Sequence, residues 1–313
     1  TLLERSRVPA NHKLVKLTWA YKIKRTGKLK ARLCVQGCSQ IPGVDFDQTF
    51  CATMRATSLR LLSALAARYS LRMHRWDFVA AYLQGELLED EVVYCYLPPG
   101  YSSRADGEYA EICEPDQADG VARICRVEKP IYGMAQAGRR WQRALFPWLL
   151  ECGLKQSESD SSVFYYEQDV KVGSKTRHEW LLVGCYVDDL FVLYSHDDEH
   201  SLYHDFIRKL RERWKVEDEG PVSDLLNVEI DRGPEGDVTL RQTGYIDRLA
   251  SEFLPADVPA SHQRAKTPAD ECLPQLVADA LSCEDPPDEA LRKRYQSLVG
   301  ALLYAASYTR PDI

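Results

Sequence analysis

The stretch EWLLVGCYVDDLFVLYS, residues 179–195, decides the reading of this chain. Apolar residues flank Asp188-Asp189 on both sides, so the pair sits at a tight turn between two buried strands. Such a turn ordinarily prefers Asn-Gly or Asp-Gly. Two neighbouring carboxylates repel, and near a core they need a cation to neutralise them. A hard divalent cation with oxygen ligands, Mg²⁺ above all, meets that need. For the pair taken alone, a simply solvated acidic turn is the competing reading.

Working outward from this turn, SVFYYEQ (162–168) and EWLLVGCYV (179–187) suggest two antiparallel strands joined near Gly173. Ser195 is expected to cap a helix over roughly 197–215, and DLLNVEIDR (224–232) and DVTLRQ (237–242) read as strands. TGYIDRLASEFL (243–254) reads as a helix, followed by an acidic, Pro-rich linker at about 255–288 and a last helix over LRKRYQSLVGALLYAAS (291–307). Toward the N-terminus, KLTWAYKIKRTGKLKARLCVQGCS (16–39) reads as a β-hairpin about Thr26-Gly27. TSLRLLSALAARY (57–69) has apolar residues at helical spacing behind a Thr/Ser cap. LRMHRWDFVAAYLQGELL (71–88) passes from a short strand into a turn or short helix with Asp77 at the junction. VVYCYLPPGY is a strand stopped by Pro98-Pro99-Gly100, residues 101–120 an acidic surface loop, and 129–153 a loop leading into an amphipathic helix that ends near Gly153. Antiparallel hairpins mixed with helices make the fold class α+β rather than a βαβ repeat.

The net charge of −7 argues against a nucleic-acid partner, but the average conceals its distribution. Residues 1–40 carry ten Lys/Arg against Glu4 alone, whereas 86–120 and 251–290 are strongly acidic. The basic segment is either a footprint for a phosphate backbone or a solvated face. The ten cysteines contain no CxxC pair and several lie in apolar runs, so reduced, buried thiols in an intracellular setting are expected. No apolar run reaches a bilayer span, and Leu298–Tyr308 has the length of a buried helix, so no membrane partner is expected. Neither a secretory signal nor an initiator Met is present, and the chain reads as cut from something longer.

Five blocks together resemble the reverse transcriptase domain of copia-type (Pseudoviridae) retrotransposon Pol polyproteins. They are KLKARLCVQGCSQIPGVDFDQTF (28–50), WDFVAAYLQG (76–85), KPIYGMAQAGRRW (129–141), YVDDL (186–190) and RYQSLVGALLYAASYTRPDI (294–313), in the family's order. The resemblance implies a right-hand polymerase with an antiparallel palm sheet. It divides the chain into fingers with a basic hairpin (1–70), a first palm part (71–100), a second fingers segment (101–150) and the palm with the YVDD hairpin (151–235). A primer grip with thumb helix (236–270) and a linker with C-terminal helix leading toward a ribonuclease H region (271–313) complete it.

The resemblance also implies an RNA-directed DNA polymerase that adds dNTPs to a primer 3′-end with two Mg²⁺ ions, Mn²⁺ being possible. Asp77, Asp188 and Asp189 match the catalytic, metal-binding carboxylates, with Asp77 and Asp188 the stronger ligands. Asp189 either binds metal intermittently or tunes the site. Such chemistry needs positioning and charge stabilisation rather than a Ser or Cys nucleophile. Lys30 and Arg32, with Lys22 or Lys24, match the hairpin cations that fold over a triphosphate. Tyr82 matches the aromatic that excludes a 2′-hydroxyl, and Gln136 a residue touching the nucleotide from the fingers side. Tyr186 would support the primer end or template, and Leu240 and Gln242 fall in the primer-contacting segment. RNA and DNA template, primer, dNTPs and the integrase and ribonuclease H regions of a polyprotein are the implied partners. A cytoplasmic particle or the nucleus is the implied location.

Three positions depart from the family pattern. Gly138 stands where Pro is usual, which should loosen its turn. Glu217 replaces a usual Lys, which leaves the proton donor to pyrophosphate unassigned, and Asn227 replaces a usual Gly. These losses would suit an alternative, a non-catalytic, eroded relic retaining the fold and nucleic-acid binding. His196, His200 and His204 fall at i, i+4, i+8 on the expected 197–215 helix, but without HExxH they read as a solvated face rather than a zinc site.

Overall fold

The computed structural model describes residues 1–23, 27, 29–98, 123–254, 272–282 and 288–313. Lys24, Thr26, the Pro99-Gly100 stop, the 101–120 loop, Cys113, Cys283 and much of the expected 255–288 linker lie outside the described residues. In chain order the strands are β1 (Leu2–Glu4), β2 (Leu14–Val15), β3 (Leu17–Ile23), β4 (Leu29–Val35), β5 (Arg72–Phe78), β6 (Tyr94–Cys95), β7 (Arg123–Arg126) and β8 (Lys155–Gln156). They continue with β9 (Val163–Val172), β10 (Lys175–Tyr186), β11 (Asp189–Tyr194), β12 (Val216–Pro221), β13 (Asp224–Leu225), β14 (Val228–Arg232) and β15 (Val238–Arg241). The helices are α1 (Ala56–Arg68), α2 (Ala137–Glu151), α3 (Leu202–Arg213), α4 (Thr243–Phe253), α5 (Leu273–Ser282) and α6 (Glu289–Tyr308). This is a mixed α and β chain with several antiparallel pairings, and it divides into two compact units.

The first unit, residues 1–54 and 74–220, is built on a six-stranded sheet of order β12-β5-β11-β10-β9-β8. Strands β9 and β10 form a long hairpin, and β10 and β11 a second one through Val187-Asp188. Alternation sorts the β5 residues between two faces. Trp76 and Phe78, each 1% exposed, enter a core with Trp141, Leu145 and Leu149 of α2 and Phe206, Ile207 and Leu210 of α3. Phe78 meets the Trp141 ring edge-on at 4.7 Å. Both helices therefore cover one face of the sheet; on the other, Arg75 and Asp77 stay partly exposed, while Phe191 and Leu193 of β11 are buried.

A smaller sheet, β1-β7-β6-β2, contains one parallel pair, β2 with β6, among antiparallel ones. The basic hairpin β3–β4 forms as expected, in the register Lys22↔Lys30 and Ala20↔Arg32. Its base is clamped to the loop before α2, where Val35 N–H donates to Tyr132 O at 2.8 Å. The approach leaves no room for side chains. A Cβ on Gly37 would collide with the Gly133 carbonyl, and one on Gly133, at φ 87°, with the Val35 carbonyl.

The second unit, residues 55–73 and 221–313, holds α1, the three-stranded sheet β13-β14-β15, α4, α5 and α6. Leu59, Leu62, Ala66, Leu71, Met73, Leu225, Val228, Ile230 and Ala305 are buried apolar residues of this unit. Tyr245 Oη donates to Ala301 O at 3.1 Å, tying α4 to α6.

Several expectations need correction. Helix α3 begins at Leu202, capped by Ser201, whose Oγ accepts from His204 N–H at 3.1 Å; Ser195 is not its cap. Only His204 of the three histidines lies on it, so no imidazole stripe exists. A Ser cap facing its own N3 amide wins over the apolar spacing that suggested an earlier start. The N-cap of α1 is Arg55, without a side-chain cap bond, not a Thr or Ser. Of the strand expected ahead of Pro98, only Tyr94–Cys95 is strand among the described residues. The expected linker contains helix α5, whose Leu276 and Val277 are 60% and 49% exposed. The apolar run at Leu298–Tyr308 is not buried as its composition suggested: Leu303 is 63% exposed and Ala305 alone is buried. Among the described residues, no helix is long and apolar enough to cross a membrane, and all eight described cysteines are free.

Candidate active site

Asp77 occupies the next-to-last position of β5, where the strand runs into a short 3₁₀ turn over Ala81–Gln84. Gln84 fixes that exit: its Nε2 donates to Val79 O and Lys215 O, and its Oε1 accepts from Lys215 N–H at 2.9 Å. The β10–β11 turn is a two-residue loop, Val187-Asp188, closed by the pair Tyr186↔Asp189. Val187 has φ 56° and Asp188 does not have a positive φ, as in a II′ turn, which usually places Gly first. A β-branched residue there is strained. Two bonds hold it: Trp141 Nε1 donates to Val187 O at 2.7 Å, and Phe78 N–H donates to Asp188 O at 2.8 Å. The second bond ties the Asp188 backbone to the residue after Asp77.

Asp77 and Asp188 line one cleft of about 250 Å³ together with Lys30, Arg32, Tyr132 and Glu217. The Arg32 guanidinium lies over the Tyr132 ring, 4.5 Å from its centroid. Burial raises the Asp77 carboxyl to about 6, and the charges of Asp188, Asp189 and Glu219 push it in the same direction against Lys30. Burial also raises Asp189, with Arg75 opposing. Arg75 Nε and Nη2 stand 2.9 and 2.8 Å from Asp189 Oδ1.

Two acids that the sequence did not mark as metal-site carboxylates, Glu217 and Glu219, belong here. Carboxylate oxygens of Asp77, Glu217 and Glu219 lie within 4.8 Å of one another. The period of two in VEDEGP puts Glu217 and Glu219 on the face of β12 that Asp218 leaves, and Asp218 instead pairs with His74 at 2.6 Å. That alternation was the available signal. An all-oxygen, anionic donor set suits a hard divalent cation, and the raised Asp77 shows the charge such a cation would relieve. The residues present therefore fit the metal that the sequence implied.

The remaining expected residues are dispersed. Tyr82 is partly buried against Tyr132, ring centroids 4.7 Å apart, and its hydroxyl is raised by burial and then by Asp188. Tyr186 ends β10 beside the acidic turn. Lys22 joins Lys30 and Arg32 in a second hollow on the hairpin. Gln136 is not brought to the cleft. It is fully buried, accepting from Gln40 Nε2 at 3.1 Å and donating to Asp45 O at 3.0 Å. Leu240 and Gln242 lie in the second unit. Leu240 pairs with Ile230, and Gln242, 2% exposed, accepts from Thr309 Oγ1 at 2.7 Å. Gly138 sits in the first turn of α2, where a Cβ would stand 3.3 Å from Cys51 Cβ. Asn227 has φ 55° between β13 and β14, a conformation that Asn tolerates in place of Gly.

A family model described as Reverse transcriptase (RNA-dependent DNA polymerase) matches residues 3–261. The chain belongs to the reverse transcriptase family. The chain is 30% identical over 97% of its length to the Retrovirus-related Pol polyprotein from transposon RE1 of Arabidopsis thaliana. It is 26% identical over 98% of its length to that from transposon TNT 1-94 of Nicotiana tabacum. A third relative, the Putative transposon Ty5-1 protein YCL074W of Saccharomyces cerevisiae, is 24% identical over 76% of this chain and 65% of its own length. This reverse transcriptase segment spans about a fifth of the plant Pol polyproteins, 18% and 21%. Its kinship is with copia-type elements.

Proposed function

We propose that this chain is the RNA-directed DNA polymerase part of an LTR-retrotransposon polyprotein, extending a primer 3′-end with dNTPs on RNA or DNA template. The observation that carries the reading is one cleft lined both by Asp77 and Asp188 and by Lys30 and Arg32. Acids and cations lining one cleft suit a triphosphate together with its divalent counter-ions. Two bound Mg²⁺ ions would supply charge neutralisation for the attacking hydroxyl and the pyrophosphate leaving group.

The chain's own residues do the rest. Asp77 and Asp188 hold the cations, and Glu217 adds a carboxylate where Asp77 faces β12. Lys30 and Arg32 bind the triphosphate; Tyr132 fixes Arg32 by stacking, so less freedom is lost on binding. Tyr82 packs beneath the sugar and disfavours a 2′-hydroxyl. Gln136 serves the nucleotide indirectly, by holding the loop that carries Tyr132. Tyr186 supports the primer end, and Leu240 and Gln242 of the second unit follow the primer strand. In this reading residues 1–70 and 101–150 are fingers, 71–100 and 151–235 palm, 236–270 primer grip and thumb. Integrase and ribonuclease H regions flank the domain in the same polyprotein.

Primer extension on an RNA template with Mg²⁺ or Mn²⁺ tests this. Extension is expected, and Asp188→Asn should lower it by at least about 10³-fold while template binding persists. Template binding without extension by the unaltered chain would overturn the catalytic reading.

A further inference from the structure

At the end of the sheet face that α2 and α3 leave uncovered, the described residues include five acids, Asp77, Asp188, Asp189, Glu217 and Glu219, and a cation, Arg75, paired with one of them. Arg75 lies two residues before Asp77 on β5, so both project from the same face. Its Nε and Nη2 converge on a single oxygen, Oδ1 of Asp189, at 2.9 and 2.8 Å. Both side chains are largely buried, 24% and 16% exposed. The pair spans adjacent strands, β5 and β11. A few residues along, Phe78 N–H holds Asp188 O at 2.8 Å. Asp188 lines the cleft with Asp77 and Glu217, and Asp189 does not.

We propose that Arg75 is a positioning residue that withdraws Asp189 from the metal-holding set and fixes the acidic turn against β5, leaving Asp77 and Asp188 as its ligands. The two adjacent aspartates thereby have different tasks. A carboxylate engaged by two guanidinium nitrogens has its charge neutralised and its rotamer set. To reach a cation, Asp189 would have to break that pair or bring the guanidinium toward a like charge. Arg75 also lowers the repulsion that Asp189 exerts on Asp77 and Asp188, so the turn can keep two acids in succession beside the core. The inference rests on the polymerase reading, because it presumes that this face holds divalent ions.

Mn²⁺ binding to the full chain, read by electron paramagnetic resonance without nucleotide or primer, tests it. Asp188→Asn should weaken binding by about tenfold or more, and Asp189→Asn should leave it within about twofold. Arg75→Met frees the Asp189 charge and should tighten Mn²⁺ by about threefold. The same variant should lower kcat for primer extension about tenfold with little change in KM for dNTP. Adding Asp189→Asn to Arg75→Met should return Mn²⁺ affinity to the wild-type value, and Arg75→Lys should recover part of kcat. If Asp189→Asn weakens Mn²⁺ as Asp188→Asn does, the proposal is overturned. Should Arg75→Met fail to fold, the Asp189→Asn and Arg75→Lys measurements still decide it. Failure of the polymerase reading looks different: Asp77→Asn and Asp188→Asn would both leave Mn²⁺ binding unchanged, and the wild-type chain would extend nothing.

Discussion

At the scale of single residues, Asp77 couples the site to pH. Its carboxyl rises from an ordinary 3.8 to about 6 through burial and neighbouring acids. An acid with a raised value in the fold prefers to be protonated there, so ionising it costs stability. That cost is fully present above about pH 6 and fades as pH falls toward the unfolded value of 3.8. In a dry site it would approach about 3 kcal/mol; for this partly exposed group, solvent screening reduces it to about 1 kcal/mol. Without divalent ions, Asp77→Asn should therefore stabilise the chain at pH 7 by about 1 kcal/mol, with no gain below pH 4. Urea unfolding at the two pH values measures this, and an equal gain at both would show that the carboxylate charge is not the cause. Asn227 illustrates the opposite case, an apparent loss that costs the backbone nothing. The left-handed turn at 226–227 demands a residue tolerant of positive φ, and Asn supplies one.

At the scale of elements, α2 is fixed to the loop before β6 by a buried ion pair. Arg140 Nη2 donates to Glu91 Oε1 at 2.6 Å, and both side chains are about 5% exposed. Glu91 also accepts from Leu88 N–H at 3.1 Å. Removing one partner strands the other charge. Glu91→Gln should cost about 3–5 kcal/mol, whereas replacing both residues by apolar ones of similar volume should cost much less. A double-mutant cycle in chemical denaturation reads the difference. This pair was not legible in the sequence, because nothing local to Glu91 announces a partner on a helix 49 residues away. The hairpins β3–β4 and β10–β11 were legible, since alternation and turn residues are local signals. The start of α3 was misplaced for a related reason. Asp197, Asp198 and Glu199 suit a helical first turn as well as a loop, and the Ser201 cap settled the choice in three dimensions. In the cleft, the acids in YVDD and WDF were legible from their unusual placement. Glu217, Glu219 and Arg75 were not, because a charged residue on an exposed strand face normally means solvent.

At the scale of the whole molecule, a net charge of −7 coexists with a strongly basic first forty residues. Lys22, Lys30 and Arg32 stand together on the hairpin, among exposed Tyr21 and Leu29. If that face meets a phosphate backbone, affinity for primer–template falls steeply with salt, and each lost cation reduces the slope by about 0.7–0.9. Replacing all three by Gln should flatten the log–log slope by about 2–3, measured by fluorescence anisotropy between low and moderate salt. An unchanged slope would show that these three cations take no part in holding primer–template.

The distribution of thiols gives the experimenter a means of watching the two units. Burial pushes the Cys95 thiol up to about 12 and Cys152 to about 11, and Cys185 higher still, so these sulfurs stay protonated and unreactive at neutral pH. Cys38 and Cys272, one in each unit, are exposed. Among the described cysteines, a maleimide dye would attach at these two before it reaches Cys95, Cys152 or Cys185. The native chain thus already carries two anchor points for a spectroscopic ruler, and with Cys113 and Cys283 replaced, distance changes between its halves on primer–template addition can be followed.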